Sequence, residues 1–201
     1  MLHSSTFFDT MREALLQDVL VAAPMLLGAQ LVSGNLRSEI IEVEAYSTPD
    51  VPGCHAHRGA TPRNQQMFEA PGTAYVYFTY GNHWMLNVVA HPMGRAGAVL
   101  IRAAKPVTGQ ADMKTRRPKA MKDGDLLSGP GKLCAAYGIH KAHNGLDLLD
   151  PRSPLHLLPG RKVSDIITGT RIGLSPGKGD DLPWRFLSAD SIAWASRPLP
   201  R

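Results

Sequence analysis

The chain has 201 residues, enough for one well-buried core and too few for two of ordinary size. Lys and Arg outnumber Asp and Glu by 22 to 17, a formal charge of +5 at pH 7, and the sequence contains two cysteines, Cys54 and Cys134. Two distant cysteines exclude a disulfide scaffold and fit a reducing compartment. No apolar run reaches the roughly eighteen residues of a membrane span, and no leader pairs basic residues with an apolar stretch. The expectation is a cytoplasmic protein that is not secreted and has no membrane partner.

Residues 7–27 carry apolar side chains at helical spacing (Met11, Leu15, Val19, Ala23, Leu27), with Asp9 or Thr10 as cap, Gly28 as stop and Pro24 dividing or ending the run. Short strands are expected at 29–32, 38–46, 73–80, 83–89 and 98–103. Between them, 48–71 is rich in Pro and Gly and reads as a long loop, a length that is more often functional than accidental. Lys114, Arg116, Arg117, Lys119 and Lys122 then concentrate the basic excess in one stretch, which suits a polyanion or a solvated loop. Residues 128–138 read as a capped helix start with a glycine stop, and the last sixty residues carry strand-like pieces at 170–174, 184–187 and 191–195.

The chemistry concentrates on two neighbouring segments. In Ile40-Ile41-Glu42-Val43-Glu44-Ala45-Tyr46 the strand period sets Glu42, Glu44 and Tyr46 on one face and Ile41, Val43 and Ala45 on the other. Tyr75, Tyr77 and Thr79 share a face of the next aromatic strand, so an acid beside several rings suggests a pocket for a flat, electron-poor ligand. Gly81-Asn82 suits a two-residue hairpin turn that leaves Tyr80 at the rim, where it either inserts into something or folds back. Asn87 stands among apolar neighbours and either braces the sheet or faces the pocket. Arg102 ends an apolar run and has Glu44, a phosphate or solvent as partner. Cys54-His55-Ala56-His57 holds zinc-type ligands in a single loop with no second ligand group at Cys/His spacing, so no metal site is expected. Gly129-Pro130-Gly131-Lys132 lacks P-loop spacing; a helix N-terminus with a lysine can hold a backbone phosphate, or Lys132 is simply near an ordinary cap.

Glu42-Val43-Glu44-Ala45-Tyr46, His55, Thr61-Pro62-Arg63-Asn64, Met67-Phe68, Pro71-Gly72-Thr73-Ala74-Tyr75-Val76-Tyr77, Tyr80-Gly81, Asn87, Leu100-Ile101-Arg102-Ala103 and Ser128-Gly129-Pro130-Gly131-Lys132-Leu133-Cys134, followed by Arg171-Ile172-Gly173 and Trp184-Arg185-Phe186, closely resemble the alkyladenine (3-methyladenine) DNA glycosylase family. The match runs in order through nearly the whole chain. It implies a single α+β domain over residues 1–201, with a curved antiparallel sheet, flanking helices and a protruding β-hairpin, similar to the formyltransferase C-terminal domain. It also implies a monofunctional glycosylase that flips alkylated or deaminated purines from duplex DNA and hydrolyses the N-glycosidic bond, acting as a monomer with no cofactor. If the protein is bacterial, its place would be the nucleoid. A non-catalytic nucleic-acid-binding module of the same fold is the alternative.

By matching position, the resemblance implies that Glu44 activates the attacking water and Arg102 helps hold it near the phosphate. Tyr46, His55 and Tyr77 would enclose the flipped base, and Asn87 would face the purine edge that distinguishes guanine from adenine. Tyr80 would fill the vacated stack; Thr61, Arg63 and Lys132 would contact the DNA backbone; main-chain carbonyls around Ile172 would add to the water site. Glu42, on the same strand face, is expected to matter less than Glu44. Asn82 and His83 are more polar than their counterparts in vertebrate relatives, and the 92–97 loop is longer.

Overall fold

The computed structural model describes residues 2–47 and 52–200. Two helices open the chain, α1 (Leu2–Leu15) and α2 (Val19–Met25). The single helical run expected at 7–27 is therefore divided at 16–18, and Pro24 lies in the last turn of α2, which ends one residue later. The cap is Asp18, whose carboxylate accepts from the Leu20 N–H at 2.9 Å, and Asp9 and Thr10 lie inside α1. An Asp cap typically contributes about 1 kcal/mol, more than a continuous helix would gain through three solvent-facing residues. Gly28 does end the segment with φ of +83°, and a Cβ there would fall 2.1 Å from the Arg161 carbonyl oxygen, so only glycine fits.

The strands are β1 (Gln30–Ser33), β2 (Leu36–Ser47), β3 (Ala74–Thr79), β4 (His83–Val89), β5 (Gly97–Thr108), β6 (His156–Leu158), β7 (Ile166–Gly169) and β8 (Arg185–Ser188). They form one antiparallel, curled sheet in the order β3-β4-β5-β2-β1-β6, with β8 joined to β2 and β7 to β8. The central strand β2 has β5 along one side. Its other side is shared: the first half pairs with β1, and Glu42 to Glu44 pair with β8. Helices α3 (Gln110–Arg116) and α4 (Pro130–Tyr137) flank the sheet, giving an α+β fold. No helix among the described residues is long and apolar enough to cross a membrane.

Three expectations about elements are corrected. Residues 170–174 form a loop, the strand of that region being β7 just before it; 191–194 fall in a 3-10 segment, Ala189–Trp194, which Ala195 closes. Both pieces are five residues long, too short for periodicity to separate strand from turn, and Gly173 has a left-handed φ of 84° that a strand does not allow. The long loop is also not structureless, since it holds a 3-10 turn, Gln65–Phe68, and Asn64 ties it together by donating to the carbonyls of His55 (2.8 Å) and Gly59 (3.0 Å). Residues 48–51 of that loop lie outside the described residues.

The main core runs from Leu15, Val19 and Leu26 through Ile40, Val43 and Val99 to Leu133 and Leu157. Ile41 does not join Val43 and Ala45 there, contrary to the simple alternation. It packs with Ala103, Leu187 and Ala195 in a separate cluster. The cause is a register shift between Ile40 and Val43, where the β2–β5 ladder passes from Ile40↔Ala104 to Glu42↔Ala103 and then to Val43↔Ile101. An extra residue on one strand re-aims the side chains beside it, a frequent device next to functional sites.

Candidate active site

That irregularity brings Arg102, which has no opposite residue in the β2–β5 ladder, between two carboxylates of β2. Glu42 and Glu44 are both wholly buried. Arg102 Nε donates to Glu42 Oε1 at 3.1 Å, and its Nη1 donates to Glu44 Oε2 at 3.2 Å. Two buried carboxylates are tolerable only with such compensation. Glu44 Oε2 also accepts from the Tyr46 hydroxyl at 2.9 Å, and Oε1 accepts from the Ile172 N–H at 2.7 Å. Desolvation nevertheless dominates and raises the Glu44 pKa, with Arg102 and the Ile172 amide pulling the other way. The outcome is a carboxylate with hydrogen-bond donors on both oxygens and an elevated proton affinity, the profile of a general base.

Beside it lies a two-part pocket. The inner compartment is narrow and is lined by Tyr46, Gly53, His55, Met67, Tyr75, Tyr77, Asn87 and Ala98. A wider outer one shares Tyr46, Gly53, His55 and Tyr77 and reaches Tyr80, Arg102 and the Ile172-Gly173-Leu174 loop. The ring centroids of His55 and Tyr77 are 4.5 Å apart at 73°, and those of Tyr75 and Tyr77 are 5.2 Å apart at 31°. His55 Nδ1 meets the Tyr75 hydroxyl at 2.9 Å. Desolvation, then the Arg63 charge, lowers the His55 pKa, so the ring is neutral near pH 7 although one edge faces solvent. Burial pushes the Tyr77 phenol up to about 12 and the Tyr46 phenol well above its ordinary value. Both stay protonated, and Tyr46 serves Glu44 as a donor.

The structure thus gathers Tyr46, His55, Tyr77, Asn87 and Arg102 around the two compartments, with Glu44 wholly buried behind them, in contact with Tyr46, Arg102 and the Ile172 amide. Asn87 is buried, lines the inner compartment and anchors its amide on the Tyr75 carbonyl at 3.0 Å, so it both braces the sheet and faces the pocket. Tyr80, 76% exposed, stands at the rim of the outer compartment. Its turn is shifted by one residue from the expected Gly81-Asn82: Tyr80 (φ 52°) and Gly81 (φ 71°) are the two left-handed residues, closed by the Asn82 N–H on the Thr79 carbonyl. Primed turns need positive φ at both central positions, and here a tyrosine occupies one of them.

The residues expected at the DNA backbone are more scattered. Thr61 is exposed and uses its amide on Asn64. Arg63 lies over the Tyr77 ring at 6.0 Å, and Lys132 extends from α4 with Nζ 3.1 Å from Ser128 Oγ. Of the basic stretch, Lys114 pairs with Asp123, Arg116 caps the Ala136 carbonyl, and Arg117 donates to the carbonyls of Asp125 and Leu126; Lys119 and Lys122 are exposed. Arg116 and Arg117 thus also tie their segment to neighbouring carbonyls, while Lys114, Lys119 and Lys122 stay on the surface. Cys54 is buried with its thiol pushed up to about 11 by desolvation, a packing residue rather than a thiolate ligand.

Four participants take roles that the sequence reading did not give them. Tyr75 is the buried partner of His55, and its spacing from Tyr77 was the available signal. Arg171 slots between the rings of Tyr46 (4.8 Å) and Trp184 (4.9 Å) while donating to the Ala45 and Gly179 carbonyls, so it fixes the tyrosine. Ile172 touches Glu44 through its amide, where the resemblance pointed to carbonyls. Glu42, expected to be a lesser neighbour, is saturated: Arg102, Arg185 (2.7 Å) and the Ser196 hydroxyl (2.7 Å) donate to Oε1, and the Ser196 N–H (2.6 Å) donates to Oε2.

A family profile described as methylpurine-DNA glycosylase matches residues 13–192. A protein of Rhodopseudomonas palustris, provisionally named 3-methyladenine DNA glycosylase, is 48% identical over 183 residues, covering 89% of this chain and 84% of the relative. Relatives given the same provisional name come from Chlorobium luteolum, 47% identical over 78% of each chain, and Burkholderia orbicola, 42% identical over 89% of this chain and 86% of its own.

Proposed function

Because the chain belongs to the methylpurine-DNA glycosylase family, hydrolases of N-glycosyl bonds in DNA, we propose that it extrudes a damaged purine into the tyrosine-lined pocket and releases it with a Glu44-activated water. The observation that carries this reading is the fully buried Glu44, held by Tyr46, which lines both the aromatic slot and the open vestibule, and by Arg102 and the Ile172 amide, whose residues line the vestibule. Departure of a base from C1′ leaves an oxocarbenium-like sugar. Glu44 supplies negative charge where that positive charge develops, and it takes the proton of the water that attacks. Arg102 sets the orientation of the carboxylate and lines the vestibule, where a phosphate next to the reacting sugar would lie.

The aromatic slot accounts for substrate class. Purines alkylated at N3 or N7 are cationic, and tyrosine faces attract a cation more than a neutral ring. Such bases are also activated leaving groups, so the enzyme needs little acid catalysis from His55, which is neutral. Extrusion costs a few kcal/mol, least for weakly paired bases, which extends the substrate range towards deaminated purines. Tyr80 would occupy the gap left in the duplex. No lysine lines either compartment among the described residues, so water rather than an amine is the nucleophile, and the domain acts as a monofunctional enzyme.

Glu44→Gln tests this directly. It should retain binding to a duplex carrying hypoxanthine or 3-methyladenine while single-turnover excision falls by about 10²–10⁴. Excision within a few-fold of wild type would remove Glu44 from the reaction. Specific binding without base release by the wild-type protein would leave a nucleic-acid-binding module instead.

A further inference from the structure

Ser196 lies in the 195–200 segment, beyond residue 192, the last that the family profile matches. It is 2% exposed, and its hydroxyl is the point at which the buried polar groups behind Glu44 meet. A serine has one proton to donate and two lone pairs to offer. The proton goes to Glu42 Oε1 at 2.7 Å. The lone pairs accept from Arg102 Nε and Nη2, both at 3.3 Å. The serine's own N–H holds Glu42 Oε2 at 2.6 Å, and its carbonyl accepts from Arg185 Nη2 at 3.1 Å, so the backbone fixes the hydroxyl in place.

The consequence falls on Arg102. Its guanidinium has three edges in use: Nε on Glu42 and Ser196, Nη2 on Ser196, and Nη1 on Glu44. Without the serine hydroxyl, Nη2 has no partner among these contacts and the plane can rotate about the Nε–Glu42 bond, which swings Nη1 away from Glu44. We infer that Ser196 is a positioning residue for excision: it locks the Arg102 guanidinium in the plane that presents Nη1 to the Glu44 carboxylate. This rests on the reading of Glu44 as the base.

A purely structural serine would affect stability alone, whereas this one should move the titration of the base. The ionisable groups around Glu44 are Glu42 and Tyr46 on β2, Arg102 on β5, Tyr77 on β3 and Arg171 beside Tyr46, and of these Arg102 is the strongest influence holding the carboxyl down against burial. Looser contact with Arg102 therefore lets Glu44 hold its proton to higher pH.

The experiment is single-turnover excision of hypoxanthine from a duplex as a function of pH, with lesion binding measured in parallel. Ser196→Ala should lower the neutral-pH rate by about ten- to a hundredfold, the scale of a small misplacement at a reacting centre. It should shift the acid limb to higher pH and leave lesion binding unchanged. Ser196→Thr, which keeps the hydroxyl, should restore both the rate and the limb. A Ser196→Ala enzyme whose acid limb coincides with wild type overturns the proposal, whether its rate is normal or reduced equally at every pH. So does a folded Ser196→Thr enzyme that behaves like the alanine variant. Glu44→Gln run beside them separates the two ideas: if it stays active the base assignment itself fails, whereas an inactive Glu44→Gln with an unaffected Ser196→Ala removes only the role of the serine.

Discussion

At the scale of single residues, the site depends on protonation states that burial sets. Glu44 must be ionised to accept a proton, and desolvation raises its pKa, so excision should decline as the pH falls through a value above the ordinary glutamate range. The check is the acid limb of a single-turnover rate profile; a limb at the ordinary carboxylate value would mean the base is a solvated group elsewhere. Asn87 offers a second test. Its Nδ2 is anchored on the Tyr75 carbonyl and the side chain lines the slot, so a guanine amine could enter there only by breaking that anchor, at a cost of about 1–3 kcal/mol. Asn87→Ser should therefore raise excision of undamaged guanine relative to hypoxanthine. A ratio that stays constant while both rates fall would make Asn87 a brace alone.

The β3–β4 hairpin is the element where backbone strain and function coincide. Tyr80 adopts a left-handed φ of 52° with its side chain 76% exposed. A non-glycine residue there costs on the order of 1–3 kcal/mol, a cost that placement of the ring at the pocket rim explains. Tyr80→Ala and Tyr80→Gly should both reduce extrusion, read as weaker fluorescence from a reporter base at the lesion. The glycine variant should be the more stable of the two by about 1 kcal/mol in urea unfolding, since it removes the strain as well as the ring. Unchanged extrusion in both would shift the wedge to Asn82 and His83, the other exposed residues of the tip.

Across the whole molecule, the polar layer behind the pocket ties the sheet's centre to its last strand and to the 195–200 segment. Glu42, Arg102, Arg185 and Ser196 come from β2, β5, β8 and that segment, and each is at least nine-tenths buried. Breaking such a set by removing one partner strands the remaining charges. Glu42→Gln should lower stability by about 3–5 kcal/mol, measured from the urea midpoint, and is no neutral control for Glu44→Gln. A change under ~0.5 kcal/mol, typical of surface positions, would mean that water replaces the lost contacts.

The sequence by itself determined the parts of this protein whose signal is local. The alternation around Val43 to Tyr46, the Tyr75/Tyr77 pair, the glycine-marked turn and the order of motifs through Trp184-Arg185-Phe186 placed the pocket wall on the correct strands. The tertiary structure decided what depends on partners distant in sequence. Only the packed sheet shows that a register shift aims Arg102 between two carboxylates, that Glu42 is bound as fully as Glu44, and that the Ile172 amide and the Ser196 hydroxyl arrive from 128 and 154 residues away. A carboxylate reads the same in one dimension whether it faces water or four donors. Its proton affinity, and hence its chemistry, is set by desolvation and by charges that the fold brings within hydrogen-bond distance.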